Sequence, residues 1–126
     1  MSNDLLNRLV PEFKKLSEQP GFPDNCCSSS AIHMYTLGYG IISGVVRIEN
    51  YLGSGQSLDI LSFWNFDRKT GLDFDMTSLQ FNRFLSEEDK KNGRRFPDLA
   101  VFRRGEFPEY IEVMRDISPD DVFIMI

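Results

Sequence analysis

A chain of 126 residues is long enough to close one hydrophobic core without disulfides or a structural metal, so a single domain over 1–126 is expected. Eleven phenylalanines supply enough bulky apolar surface to exclude a disordered chain. The formal net charge of −5 argues against a non-specific nucleic-acid binder, whose phosphate affinity comes from Lys and Arg displacing counterions, and suits a basic partner instead.

No apolar run approaches the ~18 residues that a membrane span needs, and the first residues lack the charged, apolar and small-residue succession of a secretion signal. Cys26 and Cys27 are neighbours, where a disulfide is strained. With His33 as the one histidine, they also fall short of a four-ligand zinc site. The expectation is a cytoplasmic protein in reducing surroundings, without membrane, metal or cofactor.

In chain order, Leu5, Leu6, Leu9, Val10, Phe13 and Leu16 recur at helical spacing over 3–18. Pro11 removes a donor and predicts a kink or two short helices. Residues 19–25, with Pro20, Gly21, Pro23 and Asp24, read as an irregular loop. A short buried helix follows from Ser28 through Leu37, stopped by Gly38 and Gly40, which places Cys27 at a helix N-terminus. The runs 41–48 and 58–66 are β-branched and apolar around Gly53, Ser54 and Gly55, and predict two antiparallel strands. After the turn 67–71, the alternation over 72–76 predicts a third. Thr77 reads as the hydroxyl cap of a short helix to Phe84, and Ser86 as a second cap before Asn92 and Gly93. Residues 99–103 and 110–114 predict strands around Gly105, and Ser118-Pro119-Asp120-Asp121 starts a last helix. The fold class is therefore α+β, with N-terminal helices and a cysteine-bearing helix packed on an antiparallel sheet.

A thiol at a helix N-terminus meets the positive end of the macrodipole, which favours the thiolate and makes Cys27 a candidate nucleophile. Free cysteine also packs as a small buried hydrophobe, so this position alone decides little. The surrounding residues say more. Asn25-Cys26-Cys27-Ser28-Ser29-Ser30-Ala31-Ile32 runs on to Gly38-Tyr39-Gly40, and is followed by Ser62-Phe63-Trp64-Asn65, a turn at Thr70-Gly71, and Asp75-Met76-Thr77-Ser78-Leu79-Gln80-Phe81. This succession resembles the YunG-like family of small bacterial proteins, similar to papain-like and transglutaminase-like cysteine enzymes. In that family Gly-Gln-Cys opens a helix, His-Tyr-Trp-Asn lies on a strand, and Asp-Leu-Thr-x-x-Gln-Phe follows. The resemblance implies a papain-like fold, with Cys27 as nucleophile, the position of Ser62 presenting the general base, and Asp75 as a possible orienting acid.

Two departures bear on activity. Ser62 stands where the family has histidine, and a hydroxyl neither accepts a proton near neutral pH nor holds a thiolate as an ion pair. Cys26 replaces the glutamine before the nucleophile, which removes an amide donor to an oxyanion. His33 lies six residues beyond Cys27, and at about 100° per helical residue the two side chains point to different sides. The expected function is a catalytically degenerate module that binds a protein as an inhibitor, immunity protein or phage antagonist. The alternative is an active cysteine hydrolase or acyltransferase with a non-standard base. Trp64 and Asn65 are candidate binding residues with equally ordinary readings as core anchor and strand-end hydrogen bonder. Arg94, Arg95, Arg103 and Arg104 are candidates for a local anion-binding face.

Overall fold

The computed structural model describes residues 3–125. It shows an α+β architecture: four helices and a five-stranded antiparallel sheet in the order β4-β3-β2-β1-β5. Helix α1 spans Asn3–Ser17 and runs on through Pro11. The expected division at proline does not occur because Pro11 and Asn7, whose carbonyl loses its helical donor, both lie on the exposed face, where water satisfies the freed group.

Helix α2, Cys27–Thr36, ends as its glycine implies. Gly38 takes φ 100°, its N–H donates to the Tyr35 carbonyl, and the N–H of Tyr39 reaches back to Met34. This double closure satisfies carbonyls that the last turn leaves open. Strand β1, Gly40–Ile48, then pairs along its whole length with β2, Leu58–Phe66. Strand β3, Asp73–Asp75, pairs only with Asn65 and Phe66, and on its other side with β4, Ala100–Phe102.

Strand β5, Tyr110–Ile117, lies on the far side of β1 as the other sheet edge. It runs beyond the expected stop at 114, with register breaks opposite Ile41/Ile42 and Ser43/Gly44. Helix α3, Glu87–Lys91, is capped by Ser86, whose hydroxyl accepts from the Asp89 N–H. Helix α4, Pro119–Met125, opens with a reciprocal pair: Ser118 N–H donates to the Asp121 carboxylate, and Asp121 N–H to the Ser118 hydroxyl.

The two faces of the sheet are buried differently. On one, Ile42, Val46, Ile48, Trp64 and Phe66 pack under Phe81, Leu85, Phe96 and Tyr110. On the other, Ile41 and Phe63 meet Ala31 of α2 and Val122 of α4. Helix α1 closes the β3 end through Leu5, Leu9 and Leu16 against Met34, Tyr39 and Phe74. Two glycines permit close approach: a Cβ at Gly40 would run into the Phe66 ring, and one at Gly44 into the Ile111 carbonyl and the Trp64 indole. Among the described residues, no helix is long and apolar enough to cross a membrane.

Candidate functional site

Strand β3 pairs with β2 only at Asn65 and Phe66, so β2 has no β3 partner at Phe63. The first residue of α2 fills that place. The Phe63 and Ser28 backbone N–H groups and the Ser62 hydroxyl lie near enough to the Cys27 sulfur to favour its thiolate form. Ser62 Oγ is fully buried; it lends a thiolate slight support but completes no hydrogen bond of good geometry with any group. The fold thus brings Cys27, Ser62 and Asp75 together, from a helix and two strands far apart in sequence.

The electrostatics of this site oppose a thiolate. Burial pushes the Cys27 thiol up from its ordinary value, and the nearby Asp75 carboxylate pushes it further. The backbone N–H groups and the Ser62 hydroxyl pull the other way without reversing the outcome. His33, the one histidine in the chain, is turned to Glu12 of α1 at 3.0 Å.

Asp75 has a complete set of local partners. One carboxylate oxygen accepts the Thr77 N–H at 2.8 Å and its hydroxyl at 2.9 Å, and the other accepts the Tyr110 hydroxyl at 2.6 Å. Gln80 Nε2 donates to the Thr77 hydroxyl at 3.0 Å. Thr77 therefore does not cap the 3-10 segment Ser78–Phe84 as expected: its hydroxyl donates to Asp75 and accepts from the Gln80 side chain instead of a backbone N–H. Burial raises the pKa of Asp75 despite these bonds, and that of Tyr110 goes well up for the same reason. Tyr110 was not legible as a site residue, since only the β5 to β1 pairing carries it to Asp75.

Trp64 and Asn65 are both buried and offer no surface to a partner, which corrects their reading as binding residues. The Trp64 indole stands edge-on to Tyr110, with ring centroids 5.0 Å apart. Asn65 donates to the carbonyls of Ala31 and Gly40, both at 3.0 Å, and so ties α2 to the start of β1.

The four arginines line two clefts. Arg103 and Arg104 line a cleft of about 860 Å3 with Thr70, Gly71 and Glu106. Arg94 and Arg95 line another, of about 350 Å3, with Asn82, Lys90 and Gly93. Neither of these clefts touches Cys27, Ser62 or Asp75. Among the described residues, no three His, Cys, Asp or Glu side chains converge to hold a metal ion.

No protein-family model, no curated protein and no solved structure matches the chain.

Proposed function

We propose that the chain is a catalytically degenerate cysteine-hydrolase-like domain, papain-like in plan and similar to the YunG-like family, that acts in the cytoplasm as a protein-binding module of the inhibitor, immunity or phage-antagonist type. The observation that carries this reading is the serine at 62. It occupies the place beside Cys27 where a base would have to stand, and a hydroxyl takes no proton from a thiol at neutral pH. Burial and Asp75 hold the thiol protonated, so the helix N-terminus works against a larger opposing effect.

A binding role is supported by apolar side chains left in water. Val113 and Met114 are exposed on the edge strand β5, Leu61 on β2, and Phe123 and Ile124 on α4. Exposed apolar side chains on an edge strand suit a protein partner better than a small substrate.

Affinity capture from a native lysate tests the reading, with the protein and its Cys27→Ala variant as parallel baits. A partner held equally by both is the expected outcome. A partner held by the parent alone, or thiol-dependent turnover of an amide or thioester, would favour an active cysteine hydrolase or acyltransferase.

A further inference from the structure

The smaller basic cleft is built differently from the larger one. Asn82, Lys90, Gly93, Arg94 and Arg95 line it, so three basic residues and no acidic one border it, on a chain of net charge −5. The larger cleft holds Glu106 on its wall beside Arg103 and Arg104. The acids that pair with Lys90, Arg94 and Arg95 are Glu87, Asp89 and Asp98, none of which lines the smaller cleft.

The cations are held with donors to spare. Arg94 Nη1 donates to the Glu49 carbonyl at 2.6 Å and to Asp89 at 3.1 Å, which fixes the guanidinium. Those two contacts use the hydrogens of one nitrogen, and the Nε and Nη2 hydrogens meet no acceptor among the described residues. Arg95 reaches Asp98 and Lys90 reaches Glu87 only through exposed pairs three residues away, which water screens. Asn82 holds its wall rigid, exchanging both amide groups with the Phe96 backbone at 2.9 and 2.7 Å.

Three basic residues on one cleft, with donors left over from their acidic partners, offer more than one carboxylate can pair with. They match an oxyanion that carries more than one negative charge and several acceptor oxygens. We propose that this cleft binds a phosphate-type dianion, either free or as a phosphomonoester. The site is independent of the Cys27 reading and shares no residue with it.

Amide chemical shifts of Gly93, Arg94 and Arg95 in the full chain, followed during titration at constant ionic strength, test the proposal. The probes are inorganic phosphate and O-phosphoserine, with chloride as control. Saturable shifts at these amides with either probe are expected, and tighter binding of O-phosphoserine would assign the site to monoesters rather than the free ion. The double variant Lys90→Gln/Arg95→Gln changes two exposed side chains and should raise the dissociation constant about tenfold or more, with an unchanged unfolding midpoint. Shifts that do not saturate, that chloride reproduces, or that persist unaltered in the folded double variant would overturn the site.

Discussion

At the scale of single residues, the behaviour of Cys27 follows first from its burial and then from its neighbours. Phe63 and Ser28 direct N–H groups at the sulfur, while Asp75 supplies a negative charge in a buried setting, where charge interactions are least screened. Asp75→Asn removes that charge and should speed alkylation of Cys27 at neutral pH, measured against the parent under the same reagent. It should also destabilise the fold by about 1–3 kcal/mol, since a buried amide cannot accept from Tyr110 and both Thr77 donors as the carboxylate does. Ser62→Ala carries the opposite expectation. Its buried hydroxyl completes no hydrogen bond, so denaturant unfolding should show a change within about 0.5 kcal/mol or a small gain. A loss of several kcal/mol would mean that Ser62 is bonded in solution.

Cys27, Ser62 and Asp75 were singled out in the sequence through a resemblance, and the fold sets them near one another. Tyr110 and Arg115 were not singled out. Tyr110 meets Asp75 across 35 positions, and Arg115 meets Asp73 across 42, so no local pattern announces either. Trp64 and Asn65 were ambiguous for a related reason: an aromatic and an amide on a strand serve a core or a surface equally well until the opposite face is known.

At the scale of elements, the strands with plain alternation and glycine turns were readable, and those with irregular pairing were not. The β1–β2 hairpin follows its β-branched runs residue by residue. Strand β5 extends past the expected end because two register breaks interrupt the period-two pattern, and Asp116 takes φ 62° inside the strand. Gly44 is where β1 admits both β5 and the Trp64 ring, so Gly44→Ala should cost about 1–3 kcal/mol in denaturant unfolding, from overpacking against backbone that cannot retreat. A neutral Gly44→Ala would contradict that packing.

The link between α1 and α2 has its own pH dependence. His33 bonds Glu12 and, more than any other group, holds its carboxyl below the ordinary value. A group with a depressed folded-state pKa contributes stability above its unfolded value of 4.5, and that contribution is lost as pH falls through the folded value. His33→Ala should therefore weaken the acid-side loss of stability below about pH 4.5, read from unfolding midpoints across a pH series. Identical pH profiles for the two proteins would show that the pair is unformed in solution.

At the scale of the whole molecule, the sheet face under α2 and α4 is buried at Ile41 and Phe63 and open to water at Leu61. The exposed Val113 and Met114 lie on the edge strand β5 and Leu61 on the inner strand β2, while the opposite edge strand, β4, is three residues long and followed by Arg103 and Arg104. Long apolar edges promote association with another chain, and short charged ones resist it. Val113→Glu should abolish retention of the captured partner while leaving the unfolding midpoint within a degree or two, because the side chain already faces water. The net charge alone pointed toward a basic partner; the fold adds an apolar edge and a separate basic cleft, neither of which composition could reveal.

The central claim, that the fold keeps a cysteine in the place of a nucleophile while withholding activation, is tested most directly by the pH dependence of Cys27 alkylation in a Cys26→Ser background. An apparent pKa above that of a free cysteine, with labelling at neutral pH slower than that of an unstructured thiol, is the predicted result. An apparent pKa below the free value, with faster labelling near neutrality, would contradict it and return Cys27 to the role of an active nucleophile.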